Sequence, residues 1–258
     1  QSVVIGFLFS FLNDSHERQA KRIVEREMPG VFVCTSSDVA NVMREYERFS
    51  TAAMNAFIGP RTSFYLNNLQ EKLNNEGFRA NLRIVQSNGG ISTVETCSRR
   101  AVSMLMSGPA GGVIGGKTEG LSCGSHNLIT VDIGGTSADI STIPDGQIKI
   151  MNPRDSYVSG HPILIPMIDL VTIGAGGGSI AYVDSAGGFH VGPRSAGADP
   201  GPACYGRGGE EPTVTDAQVV LGRLDADKML GGDLLLDPEL ARRAIESKIA
   251  KRLNISAT

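Results

Sequence analysis

The stretch Ile129-Thr-Val-Asp-Ile-Gly-Gly-Thr-Ser-Ala-Asp-Ile-Ser141 decides the fold. It reads as two short apolar strands joined by a turn of small residues. Thr130 to Ile133 is β-branched apart from Asp132, and Ala138 to Ile143 resumes the apolar pattern. Between them lie Gly134, Gly135, Thr136 and Ser137. A glycine pair lets the backbone turn tightly and point several N–H groups at one place. Such a concave set of amides is an anion site. The hydroxyls of Thr136 and Ser137 add donors, and the flanking carboxylates of Asp132 and Asp139 offer oxygen ligands for Mg²⁺. Together they are equipment for holding a nucleotide phosphate. A plain hairpin with a glycine-rich turn has the same letters, so both readings stand at this point.

Downstream, an apolar run over Pro162 to Ile173 leads into Gly174-Ala-Gly-Gly-Gly-Ser179, and a strand resumes at Ile180 to Asp184. Glycines in such a loop let a ligand approach the backbone closely, while a flexible connection is the bland alternative. Phe189 to Val191 can pair with that strand, and Gly192 to Gly209 is dense enough in Gly, Pro and Ser to predict loop. Asp216 to Leu224 and Pro238 to Leu253 predict helices, the latter with Asp237 as N-cap and Pro238 in its first turn. Upstream, strands over Val3–Phe9, Val31–Cys34 and Leu82–Val85 alternate with helical patterns. These begin near Asn13 or Ser15, near Ser37 or Asp38, and at Thr62. That alternation predicts an α/β architecture.

The 258 residues are 41% hydrophobic, enough for a sizeable core in one large domain or two modest ones. The net charge of −3 comes from interspersed charges and gives no reason to expect nucleic acid. Four cysteines, Cys34, Cys97, Cys123 and Cys204, are scattered without a CxxC pair. They read as reduced thiols of a cytoplasmic protein. No segment approaches the ~20 apolar residues of a membrane span. The chain begins at Gln1 without methionine and enters a strand almost at once, which suggests a portion of a longer protein.

Gly111-Gly-Val-Ile-Gly-Gly-Lys-Thr118 matches the phosphate-loop pattern GxxxxGK[ST] letter for letter. Context argues against it. A phosphate loop needs a substantial following helix, and here Gly120 and Gly124 come almost immediately. Pro109 with Ser107 as a cap instead predicts that a helix starts here. Other chemistry-bearing residues read as structural. Cys204 has no histidine after it in the chain and reads as a buried thiol rather than a nucleophile. His161 and Asp169 match no standard metal spacing. His16 and Glu17 read as helix-start or surface residues.

Taken in order, several long motifs resemble the hydantoinase A/oxoprolinase family. They are Arg44-Glu-Tyr-Glu-Arg-Phe-Ser-Thr51, Gln86-Ser-Asn-Gly-Gly90, Ser107-Gly-Pro-Ala-Gly-Gly112, Asp132-Ile-Gly-Gly-Thr-Ser137, Thr172-Ile-Gly-Ala-Gly-Gly-Gly-Ser179, the run Val191 to Gly206, and Thr213-Val-Thr-Asp-Ala217. The resemblance implies an actin/hexokinase/Hsp70-like fold, two RNase H-like α/β lobes with ATP and Mg²⁺ or another divalent cation between them. It implies that residues 1–120 are the remainder of the first lobe with a connecting helix, and 121–258 the second lobe. In this scheme Gly134, Gly135, Thr136, Ser137 and Asp139 hold phosphate. Gly174, Gly176, Gly177, Gly178 and Ser179 form the adenosine loop. Asp132 is the candidate catalytic residue, and Asp132 with Asp139 the candidate metal ligands. The implied activity is ATP-dependent hydrolysis of a cyclic amide of hydantoin or 5-oxoproline type, through phosphate activation of its carbonyl. A ketone carboxylase subunit and a non-catalytic nucleotide-binding module are the alternatives. Implied partners are a small cyclic amide, a hydantoinase B-type subunit or domain, and further copies in an oligomer, with no nucleic acid and no membrane. The superfamily carries a second phosphate hairpin near its N-terminus. No second Asp-x-Gly-Gly-Thr occurs here, so the expectation is a central portion with half the phosphate cradle.

Overall fold

β1 (Ser2–Ile5) and β2 (Phe32–Thr35) pair in parallel, in the register Ser2 to Phe32 through Ile5 to Thr35. Parallel neighbours need a long crossover, and α1 (Ser15–Glu27) supplies it. In the computed structural model, which describes residues 1–256, this βαβ unit opens the first of two compact units. The first unit comprises 1–128 with 142–169, and the second 129–141 with the chain from 170 onward.

After β2 comes the one-turn α2 (Ser36–Val39), then α3 (Glu45–Asn75), a single helix of 31 residues. The sequence predicted separate helical segments, one from Ser37 or Asp38 and one from Thr62. The helix runs through Pro60, and a Cβ at Gly59 would come within 2.3 Å of the Phe32 ring, so glycine is what lets α3 lie against β2. The core formed there contains Cys34, Val39, Ala52, Ala56, Val102, Ile163 and Ile165. Next come β3 (Arg83–Val85) and β4 (Ile91–Thr93), an antiparallel pair, then α4 (Val94–Arg99), whose N-cap Thr93 accepts from the Thr96 N–H.

α5 (Ser107–Ser122) is helical throughout. The phosphate-loop letters therefore lie inside a helix, as the placement of Pro109 required. Ser107 is not its cap: the helix begins at Ser107 itself, after Met106, which makes no side-chain capping bond. Ala110 and Val113 of α5 pack with Ile143 and Ile168 in a second core cluster. The hairpin strands β5 (Leu128–Ile133) and β6 (Ala138–Ile143) follow. Short ladders then pair β7 (Ile150–Met151) with β10 (Met167–Ile168), and β8 (Tyr157–Val158) with β9 (His161–Pro162).

In the second unit, β11 (Val171–Ile173) pairs with β6, and β12 (Ser179–Val183) pairs antiparallel with β13 (Phe189–Ser195). β13 therefore enters the segment read as loop from Gly192. α6 (Val214–Val220) and α7 (Pro238–Ile245) pack around Cys204, Val219, Leu236 and Ala241. Asp237 caps α7 as the sequence predicts, its carboxylate accepting from the N–H groups of Glu239 and Leu240. No helix among the described residues is long and apolar enough to cross a membrane.

Candidate functional site

The sheet order is β11-β6-β5. Four residues separate β5 from β6, and so short a connection allows only an antiparallel pair. The Gly134 N–H donates to the Ser137 carbonyl at 2.8 Å, and Thr130 Oγ1 donates to the Ser141 carbonyl at 3.4 Å. Both bonds fit one register, which sets Asp132 opposite Asp139. On the other side of β6, Thr172 stands opposite Asp139, and its hydroxyl donates to that carboxylate. Because side chains alternate along a strand, one face of the sheet carries Thr130, Asp132, Asp139 and Thr172. The other carries Val131, Ile133, Ala138, Ile140, Val171 and Ile173. The hairpin reading thus holds in detail, and the two aspartates that flank it in sequence share its polar face.

The turn is exposed, and the N–H groups of Gly135, Thr136 and Ser137 have no acceptor among the described residues. Three such amides at the tip of a two-glycine turn, beside two hydroxyls, are a donor set that can receive an anion. The turn's carbonyls are used differently. Gly177 N–H donates to Gly134 O at 2.9 Å, and Gly178 N–H to Gly135 O at 2.6 Å. Gly176 lies so close that a Cβ there would meet the Thr136 and Ser137 backbone at about 2.5 Å. The 174–179 loop therefore backs the hairpin turn. Its amides are already committed, since Gly176 N–H donates to Ser179 Oγ at 2.9 Å. Ser179 is fully buried, and its hydroxyl lies 3.4 Å from Gly174 O, closing the loop on itself. The structure brings Gly134–Ser137 and Gly176–Gly178 together; Gly174 and Ser179 hold the loop's ends.

A second layer escaped the sequence reading. The Gly177 carbonyl accepts from both the N–H and the hydroxyl of Thr215, at 2.8 and 2.9 Å. The Gly178 carbonyl accepts from Ala196 N–H. Thr215 is in turn placed by α6, whose N-terminus is a capping box of Thr213 and Asp216. Asp216 is fully buried and accepts from Thr213 N, Thr213 Oγ1, Cys204 N and Ala203 N at 2.7–3.3 Å. The signal was present as Thr213-Val-Thr-Asp216, a capping-box spacing.

Cys204 is fully buried, and burial together with the neighbouring Asp216 carboxylate pushes its thiol far above the usual range. A thiol that does not ionise is no nucleophile, so the structural reading stands. Asp169 pairs with Lys149 at 2.9 Å, and His161 is exposed on β9. No group of three or more His, Cys, Asp or Glu gathers to hold a metal among the described residues. Glu17 corrects the surface reading. It is fully buried, taking hydrogen bonds from Phe7 N, Ser36 Oγ, Ser37 N and Ser37 Oγ. Burial alone would raise its carboxyl; these bonds outweigh that and hold it below its ordinary value.

Comparison with known proteins places these features. The pattern of the Hydantoinase/oxoprolinase family matches residues 48–258. The caprolactamase subunit alpha of Pseudomonas jessenii is 44% identical over 256 residues, 99% of this chain and 36% of that protein. A crystal structure of the ATP-dependent caprolactamase from the same organism superposes with a TM-score of 0.74, covering 100% of this chain and 37% of that one. A nucleotide-free structure of acetone carboxylase, an enzyme of ATP-dependent acetone carboxylation, superposes with a TM-score of 0.81 at 30% identity. It covers 99% of this chain and 36% of its own. The chain thus spans little more than a third of the length of these relatives.

Proposed function

The chain belongs to the Hydantoinase/oxoprolinase family, and from that premise we propose that it carries the second-lobe phosphate site of an ATP-dependent cyclic-amide hydrolase with an actin-like fold. One observation carries the reading: the β5–β6 turn presents three amides without acceptors beside Asp132, on the polar face of its sheet. An unstrained lactam carbonyl is a poor electrophile, and its nitrogen a poor leaving group. Transferring phosphate to the amide oxygen makes the carbon open to attack. A protein serving that chemistry acts mainly by positioning phosphate and stabilising charge.

The residues present fit such a group. The Gly135, Thr136 and Ser137 amides and the two hydroxyls bind phosphate oxygens. Mg²⁺ keeps most of its waters and takes only one or two carboxylates, so Asp132 and Asp139 suffice without a third protein ligand. Asp139 already holds the Thr172 hydroxyl, which leaves Asp132 the more open of the two. When bound, the metal–nucleotide complex supplies the transferable phosphoryl group and neutralises its charge. Gly174, Gly176, Gly177, Gly178 and Ser179 fix the hairpin turn from behind and form the backbone wall on the adenosine side.

The whole protein pairs with a hydantoinase B-type subunit or domain in an oligomer, in line with relatives that are themselves subunits. The cysteines are unpaired, which fits a cytoplasmic setting. The likeness to acetone carboxylase at TM-score 0.81 favours ketone carboxylation as the second reading. Phosphate release by the full-length enzyme separates the two. Release stimulated by caprolactam, hydantoin or 5-oxoproline supports the hydrolase, and release stimulated only by acetone with bicarbonate replaces it with the carboxylase. Turnover with neither refutes both.

A further inference from the structure

Beyond the phosphate site, the first unit contains a groove of about 1210 Å³ beside β2, lined by residues Val31 to Cys34. Among the described residues β2 has a single strand neighbour, β1, so its other edge offers ladder groups to an incoming strand. The flanks are basic. α1 contributes Arg18, Lys21 and Arg22, and the C-terminal end of α4 contributes Arg99 and Arg100. These five cations face three carboxylates. Three of the cations are already in ion pairs, Arg18 with Asp14, Lys21 with Asp38 at 2.8 Å and Arg99 with Glu95 at 2.9 Å, and Arg100 donates to the Val39 carbonyl at 2.8 Å. Exposed pairs of this kind contribute little and exchange partners readily. Ser98, on the same wall, has a buried hydroxyl with no hydrogen-bond partner.

We propose that this groove docks an extended acidic segment of another polypeptide, added as a strand to the free edge of β2. Edge pairing supplies the main-chain hydrogen bonds, and carboxylates at alternate positions meet the arginines on the flanks. A compact polyanion would use the cations but leave the strand edge and the groove's length unused. That distinction is measurable.

The test uses the full-length chain and a fluorescein-labelled octapeptide of alternating Glu and Val, followed by anisotropy and amide hydrogen exchange. The peptide is expected to bind and to slow exchange at residues 31–35. An alternating Lys–Val peptide should not bind. Arg18→Ser, Arg22→Ser and Arg99→Ser together should weaken binding about tenfold, the sum of three exposed charge contacts. None of these three residues belongs to the phosphate site, so phosphate release should be unchanged in the variant. Absence of binding overturns the proposal. So does binding without slowed exchange at 31–35, equal displacement by inorganic tripolyphosphate, or indifference to the triple substitution. The outcome does not depend on which reaction the phosphate site serves.

Discussion

α5 and the 174–179 loop behind the β5–β6 turn both carry runs of glycine, and the chain uses the two runs in opposite ways. In α5 a Cβ at Gly108, Gly111 or Gly115 would meet nothing within 4 Å. Those glycines answer to no steric demand of the described chain, and the helix forms despite their poor propensity. In the 174–179 loop, Gly176 sits against the Thr136–Ser137 backbone, and a Cβ at Gly178 would come within 2.9 Å of Gly135 O and Ser195 Oγ. There the absent side chain is the structure. The first run matches a phosphate-binding motif by its letters, and the second braces the hairpin turn with amides that are already committed. What separates them is context: a proline in the first turn of a helix in one case, the Thr136–Ser137 backbone pressed against the loop in the other.

Breaking that contrast at its strongest point means adding one methyl group. Gly176→Ala drives a Cβ into backbone that cannot move aside. We expect a loss of about 3 kcal/mol, the upper end of overpacking, and loss of ATP-dependent turnover. Thermal unfolding and phosphate release read both, and wild-type values would show that the loop does not brace the turn. Next in size is Asp216→Asn. The amide oxygen cannot take all four donors that Asp216 holds, and its NH₂ faces other N–H groups. A loss of about 2–3 kcal/mol follows, visible as a lower denaturation midpoint; a shift under half of that would demote the second layer.

The third substitution should act in the opposite direction. Gly115→Ala in α5 removes a glycine from a helix interior where space is open. It should stabilise by about 0.5–1 kcal/mol with turnover intact. A collapse of activity would revive the phosphate-loop reading of Gly111 to Thr118. The smallest effect is chemical. Cys34, Cys97 and Cys204 are buried, with thiols raised by burial, whereas Cys123 is exposed. Iodoacetamide at pH 8, followed by peptide mass analysis, should label Cys123 first and leave Cys204 unmodified until unfolding. Labelling of Cys204 at the rate of Cys123 would contradict its structural role.

Much of this was legible in the sequence because the signals were local. Asp237-Pro238 announced α7, Pro109 announced α5, and the β-branched flanks around Gly134 to Ser137 announced the hairpin. What was not legible depended on partners far along the chain. The helical segments read separately from Ser37 or Asp38 and from Thr62 run into one helix, α3, in which Gly59 lies against Phe32 from far earlier in the chain. Glu17 looks like a surface residue until Ser36 and Ser37, some twenty positions away, surround its carboxylate. The 174–179 glycines pointed to ligand contact; that their amides hold Gly134 and Gly135 follows only from the tertiary pairing.

The central claim is that Asp132 works through its charge at a phosphate site rather than as a turn residue. Asp132→Asn keeps size and hydrogen-bonding capacity and removes the charge, and both residue types suit turns. Measured together on the full-length protein, thermal midpoint and ATP-dependent phosphate release separate the two roles. The account predicts an unchanged midpoint and turnover lower by orders of magnitude, on the scale of about 10²-fold or more for a lost electrostatic contact to phosphate. Turnover near wild type would contradict it.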